Sequence, residues 1–272
     1  MNDKPVHDSP SRAMDTTQPS VARAYDFALG GKDNFEVDRQ FARAIKERDP
    51  EVFVTAQLNK DFGRRATEYM AKQGVRQFLD LGSGIPTSPP SIHDTARRFQ
   101  PDARVVYVDN DPVVAAHNRA LRAVSSGLAL VQHTFLEPET IFAHPDFIST
   151  LDTSEPIGIL FCSVLQNTPA DTLADVLSRL RARLAPGSYL AISHTCERTS
   201  QAVKEAFAQQ HETKGYPKTW FRSDAEITEF FAGFDIVEPG IVDYRDWYPD
   251  AELAANRPEL NTQFTCGLGV LS

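Results

Sequence analysis

The sequence predicts an α/β fold, a doubly wound sheet with helices on both faces, preceded by a helical N-terminal cap. Three observations predict it. Short apolar runs recur from residue 77 onward: QFLDL, RVVYVD, LALVQ, IGILFC, SYLAIS, FDIVE and FTCGLGVL. Runs that are apolar on both faces suit strands covered by helices on each side. The stretches between them, such as Pro112 to Val124 and Thr172 to Leu184, have helical apolar spacing and are long enough for right-handed crossovers. Thirdly, the first run leads into Gly82-Ser83-Gly84, a small turn where a strand of such a sheet hands over to a helix.

Taken in order, residues 1–20 are rich in Pro, Ser, Asp and Thr without repeated apolar spacing and are expected to form a disordered tail. Val21, Tyr25, Ala28 and Leu29 lie at i, i+4, i+7 and i+8, and Phe41, Ala44 and Ile45 resume the spacing after Gly30-Gly31. This predicts a helical cap over 21–74 interrupted by one glycine-bearing loop. Residues 75–272 then carry the sheet. The proline-bearing loop from Pro239 to Pro258 separates the last two runs and can place a final antiparallel strand.

Composition bounds the function. At 272 residues, 24% charged and 41% hydrophobic, the chain is an ordinary globular protein that needs no disulfide or metal staple. A net charge of −9 argues against nucleic acid as a partner, since that binding is driven by basic side chains on phosphates. Cys162, Cys196 and Cys266 are far apart and outside any C-x-x-C spacing, so free thiols in a reducing compartment are expected. No window approaches 18 consecutive apolar residues and the start lacks the apolar run of a signal peptide, so a cytoplasmic protein without a membrane partner is expected. Oligomeric state is not readable.

The chemistry concentrates at two strand ends, because ligands of such folds bind beyond the carboxyl ends of the strands. Gly82 and Gly84 let the backbone pass close to a ligand. A dinucleotide fingerprint requires glycine at position 87, where Thr87 stands. Asp80, just before the glycines, repels phosphates and attracts an ammonium group. Asp109 ends the second strand 25 positions after Gly84, where a carboxylate accepts both hydroxyls of a ribose, and Asn110 behind it can address an adenine edge. A nucleoside with a cationic tail and no phosphates fits, and S-adenosyl-L-methionine has that composition.

At this point the chain resembles a class I S-adenosylmethionine-dependent methyltransferase. More narrowly, it resembles a bacterial S-adenosyl methyltransferase family whose signatures stand here as Gly30-Gly31-Lys32-Asp33-Asn34-Phe35, Gln77 to Thr87 and Val105 to Pro112. The likeness runs through Ala185 to Leu190 and Val237 to Gly240. It implies a Rossmann-like seven-stranded sheet with an antiparallel last strand, a cofactor lying over Gly82 to Gly84, its ribose on Asp109, and the N-terminal helices near the reacting methyl. Departures from the family pattern are informative. The aspartate that meets the adenine amino group is absent from Val131-Gln132-His133-Thr134-Phe135, leaving Thr134 as a weaker partner. The Leu-His pair after the fourth strand is Leu165-Gln166, and the terminal Gly-Arg-Lys is Gly269-Val270-Leu271.

The expected cofactor residues are therefore Asp80, Gly82, Ser83, Gly84, Asp109, Asn110, Thr134, Phe135, Ser163 and Asn34. His194, Gln166, Asn167 and Tyr25 are the candidates for catalysis. His194 follows the fifth strand as a general base or substrate contact. Gln166 and Asn167 take no proton and can only orient a nucleophile. Tyr25 offers an aromatic face to a sulfonium, while Lys32 or Asn34 reaches the cofactor carboxylate or the acceptor. Ser91, His93 and Asp94 read first as helix capping. The expected reaction is methyl transfer to an O, N or C nucleophile of a small-molecule acceptor, with no metal. The alternatives are non-methylating S-adenosylmethionine chemistry, such as a cyclisation, and a non-catalytic nucleoside sensor.

Overall fold

A computed structural model describes residues 16–86, 90–122 and 126–272, with the side chains of 118–122 outside the description. Thr87, the end of the helix expected to reach Val124, and residues 1–15 of the expected tail lie outside the described residues. Among the described residues, three helices come first: α1 (Val21–Ala28), α2 (Glu36–Lys46) and α3 (Val52–Lys72). Then follow β1 (Gln77–Leu81), α4 (Ile92–Arg97), β2 (Arg104–Val108), α5 (Pro112–Arg122), β3 (Leu128–Val131), α6 (Pro138–Ala143) and α7 (Pro145–Ile148). The second half holds β4 (Gly158–Cys162), α8 (Ala170–Arg181), β5 (Tyr189–Thr195), α9 (Gln201–Lys214), α10 (Asp224–Glu229), β6 (Asp235–Ile236), β7 (Val242–Asp243), α11 (Ala251–Ala255) and β8 (Phe264–Val270).

The helical segment is broken twice rather than once. Besides the Gly30-Gly31 loop, the chain leaves α2 at Asp49-Pro50, because proline disfavours the helical conformation in the residue before it. Ser20, at the end of the expected tail, caps α1 by accepting from the Arg23 amide. α3 was grouped by spacing with the cap, yet its Phe62, Ala66 and Met70 pack with Phe78 of β1 in the core of the sheet.

The strand order is β3-β2-β1-β4-β5-β8-β6. β1 to β5 pair in parallel, and β8 runs antiparallel to β5 from Tyr189↔Val270 to Thr195↔Phe264. Among the described residues the count is eight strands rather than seven, because the FDIVE run contributes only the two residues of β6. The chain turns at Pro239-Gly240, and β7 then pairs the other end of β8. Side chains alternate across the sheet. Phe78, Val105, Tyr107 and Leu160 face α3, Tyr244 and Trp247. Leu79, Leu81, Val106, Val108, Ile159 and Phe161 face the cluster that includes α6, α8 and α10. Crossovers leave β1 toward β2 and β3 on one side, and β4 leads to β5 on the other. The crevice therefore opens at the carboxyl ends of β1 and β4. No helix among the described residues is long and apolar enough to cross a membrane.

Candidate active site

A cavity of about 560 Å³ lies over that crevice, within the range of small-molecule and cofactor sites. Its floor is the turn after β1. Gly82 (φ 71°) and Gly84 (φ 66°) both take the left-handed conformation that glycine reaches without steric cost. The Gly82 and Ser83 amides donate to Val108 O at 2.8 and 3.1 Å, tying the turn to the end of β2. A Cβ at Gly82 would sit 2.6 Å from Val164, whereas one at Gly84 would meet nothing within 4 Å. Gly84 thus faces open cavity space. Ser83 Oγ is buried without a hydrogen-bond partner, an unmet polar atom that a ligand can satisfy.

Asp109 shapes the turn from the neighbouring strand. Its Oδ2 accepts from the Gly84 amide and its Oδ1 from the Asp111 amide, each at 2.9 Å. Burial pushes its pKa up to about 6 against the pull of those amides. Asp80 is also buried and lines the same cavity. No described residue hydrogen-bonds its carboxyl. Burial, reinforced by the nearby Asp109 charge, pushes its pKa up to about 7. Two buried acids therefore lie near each other at the strand ends, with no described cation paired to either. Lys60 and Arg64 of α3 also line the cavity. Burial lowers the pKa of both, and Arg64 also pairs with Asp61. The cavity thus offers both acids and bases, a match for a zwitterionic amino-acid group.

The end of β3 forms the third side. Phe135 packs edge-on against Phe161 at 5.5 Å between ring centres. Thr134 Oγ1 accepts from the Leu136 amide at 3.2 Å, which leaves its own O–H to donate. At the tip of β4, Ser163 takes φ 59°, a left-handed conformation costly for a residue with a Cβ. Its amide donates to Ser193 O and Ser193 Oγ at 3.1 and 3.0 Å. Pro19 to Arg23, at the start of α1, line the cavity from above. Arg23 is buried and paired with Asp38 at 2.9 Å and Asp111 at 3.5 Å. Ser20 Oγ also donates to Asp111 at 2.5 Å. A buried charge network therefore fastens the cap to the loop that carries Asp109.

Of the expected cofactor residues, Asp80, Gly82, Ser83, Gly84, Asp109, Asn110, Thr134, Phe135 and Ser163 all line this cavity, and Tyr25 and Asn167 join them. Asn34 does not. Its Nδ2 donates to Asp26 Oδ2 at 2.7 Å and to Gly31 O, while its Oδ1 accepts from Arg39. The glycine-glycine block folds around the buried Asp26, whose carboxylate lies where a Gly31 Cβ would project. That block is thus a loop built on Asp26, and Lys32 is not among the lining residues.

His194 also lies away from the cavity. Strand alternation turns it to the face opposite Ser193, toward Phe230. Its Nδ1 donates to Thr195 O at 2.7 Å and its Nε2 accepts from Arg222 Nη1 at 2.6 Å. Burial lowers its pKa to about 4, so it is neutral with its lone pair engaged and is not placed to take a substrate proton. Tyr25 contributes its ring, but its hydroxyl donates to Ala56 O at 2.7 Å and accepts from Asn59 at 2.9 Å. Burial raises its pKa well above the ordinary tyrosine value. Gln166 is buried behind Ser163, donating to its carbonyl and hydroxyl at 2.8 Å each. Sequence reasoning missed Lys60, Gly63, Arg64 and Cys162 on the cavity wall. Asn59 and Gly63, one helical turn apart, interrupt the apolar face of α3, a signal that could have found them.

Residues 7–272 match a family model described as S-adenosyl methyltransferase. No curated protein matches the chain. The crystal structure of a candidate methyltransferase from Thermobifida fusca YX is 35% identical, with a TM-score of 0.86 over 97% of this chain and 98% of that one. A DUF574-family protein from Streptomyces avermitilis MA-4680 is 33% identical, with a TM-score of 0.89 over 95% and 100%.

Proposed function

Because the chain belongs to the S-adenosyl methyltransferase family and so uses S-adenosyl-L-methionine, we propose that it methylates an oxygen, nitrogen or carbon nucleophile of a small molecule, at the cavity over β1 and β4. The observation that carries this reading is Asp80: a buried carboxyl beside a second acid, facing the cavity, with no hydrogen-bond partner among the described residues. The donor set fits the cofactor. Asp109 has lone pairs left for two ribose hydroxyls, Ser83 Oγ and Gly84 offer an unmet polar atom and open space, and Phe135 and Thr134 suit an adenine ring and its edge. Asp80 would hold the ammonium group, and Lys60 with Arg64 the carboxylate. When bound, the cofactor supplies an electrophilic methyl group on a sulfonium whose thioether is a good leaving group. The chain's work is then to orient the nucleophile and exclude water. The α1 segment over the cavity does the second, and its enclosure favours a small acceptor over a polymer. Asn167, whose Nδ2 is held by Lys218 O and Thr219 Oγ1, has its Oδ1 to orient the nucleophile.

Calorimetric titration with S-adenosyl-L-methionine tests the assignment on wild type, Asp109→Ala and Asp109→Asn. Loss of affinity in both variants is expected, since neither keeps the charge. Undiminished affinity in both would remove the ribose assignment. Mass spectrometry of turnover mixtures distinguishes the chemistry: S-adenosylhomocysteine is the expected product, and methylthioadenosine would contradict methyl transfer.

A further inference from the structure

Beneath the cap lies a second, smaller chamber that the cofactor assignment does not use. Its volume is about 110 Å³, and Val21, Tyr25, Ser163 and Asn167 belong to its wall as well as to that of the larger cavity. The rest of the wall is largely apolar, with Phe41, Phe53, Phe207 and Phe264 among its rings. No charged side chain among the described residues lines it. Its polar groups gather where it meets the strand ends, and most are satisfied locally. Tyr25 is held by Ala56 and Asn59, Asn167 by Lys218 and Thr219, and Thr195 by Trp220. Thr55 Oγ1 and Gln166 Oε1 are both buried without a partner, and Gln166, whose free atom can only accept, is the one that fixes what a ligand must supply. It is 6% exposed, its Nε2 is spent on Ser163, and its Oε1 is buried with no partner. The two bonds to Ser163 O and Oγ fix which end of the carboxamide is the oxygen.

We infer that this chamber is the acceptor site and that it takes a small, uncharged, single-ring molecule bearing one O–H or N–H donor, of the phenol or arylamine class, with that donor on Gln166 Oε1. The inference rests on the methyl-transfer reading for the ring's purpose, but the binding stands on the chamber alone. Size caps the ligand at a single ring: an engineered apolar cavity of about 150 Å³ takes benzene, and this chamber, at about 110 Å³, is smaller. Neutrality follows because a charge buried here would meet no counter-charge. The donor follows because a buried carbonyl oxygen without a partner selects a ligand that supplies one. With its hydrogen committed to Gln166, the same heteroatom keeps a lone pair free. In the transfer the methyl–sulfur bond breaks with its electron pair remaining on sulfur. The new bond forms to that O or N, and the displaced proton passes to water.

The test uses the full chain, titrated by ligand-observed NMR with phenol, aniline, toluene, benzoate and benzylammonium, each with and without S-adenosylhomocysteine. Phenol and aniline are expected to bind at least about tenfold more tightly than toluene, and the two ions not measurably. Nuclear Overhauser contacts are expected from the phenol ring to the methyl groups of Ile45 and Val52, both chamber residues. Ala28→Phe fills the chamber from a position outside the cofactor cavity, so it should abolish phenol binding and leave S-adenosylhomocysteine affinity within about twofold. Phenol binding no tighter than toluene, equal binding of benzoate, or absence of those contacts in the wild type would overturn the inference. A wild-type chain that fails to bind S-adenosylhomocysteine while still taking phenol would instead strike the cofactor assignment and leave the chamber assignment standing.

Discussion

The two cavities meet at Val21, Tyr25, Ser163 and Asn167 but are built on different principles. The larger one carries charge on a partly apolar wall: four acids, Asp80 and Asp109 among them, and three bases, Lys60 and Arg64 among them, around a glycine turn. The smaller is ringed by phenylalanines and has one buried carbonyl oxygen left unmatched. Recognition in the first comes from charge complementarity, which tolerates an empty site poorly. In the second it comes from shape and a single hydrogen bond, which a change of residue can easily retune. The contrast separates a common cofactor from an individual acceptor within one fold.

The largest expected effect sharpens the charged side. Asp109→Ala should weaken S-adenosyl-L-methionine by about 100-fold or more, since two hydrogen bonds to a charged acceptor are each worth roughly 1.5–3 kcal/mol. Calorimetry at fixed salt measures it.

Asp80→Asn should act in opposite directions on binding and folding. Affinity should fall at least about tenfold through loss of the ammonium partner, while the ligand-free chain becomes more stable at pH 8. The sign follows from linkage: a carboxyl raised to about 7 when folded contributes stability at low pH that is lost as pH rises from about 4 through 7. The charged form thus costs up to about 4 kcal/mol at roughly 1.4 kcal/mol per pH unit, of which an unpartnered amide would give back about half. Because the neutral, buried His194 loses stability as pH falls below about 6.5, the measurement is the difference in melting temperature between variant and wild type from pH 5 to 8. That difference should grow with pH. Cofactor affinity of the wild type should rise over the same window as Asp80 gives up its proton.

Lys60→Met should weaken S-adenosyl-L-methionine by roughly tenfold but leave methylthioadenosine, which lacks the amino-acid group, unchanged. Equal losses for both would break the assignment of acids and bases to a zwitterion. The smallest effect on binding belongs to His194→Phe. It takes the Nε2 acceptor from Arg222 Nη1, which keeps only Leu165 O at 3.4 Å while Nη2 stays on Thr168 O, and should cost about 1–3 kcal/mol of stability, seen in denaturant melts, while cofactor affinity stays within about twofold.

The charged half of this comparison was legible in the sequence because consecutive residues build it. Phe78 to Gly84 and Val105 to Asp111 each carry a strand, its turn and its acid within a few positions, so spacing alone brings Asp80, Gly84 and Asp109 together. Lys60 and Arg64 were not legible, because a long helix reaches the strand ends only once its Phe62 and Met70 are known to pack on Phe78. The chamber was less visible still: its wall draws on residues from Val21 to Phe264, and no local pattern joins them. His194 and Asn34 misled for related reasons. Strand alternation sent one to the wrong face, and the other was claimed by Asp26 in a turn whose geometry spacing does not encode.

The most direct test is a crystal structure of the full chain grown with S-adenosylhomocysteine. The account predicts both ribose hydroxyls on the Asp109 carboxylate and the amino-acid group spanning from Asp80 to Lys60 and Arg64. A ligand seated elsewhere, or one that turns its ribose away from Asp109, would contradict it.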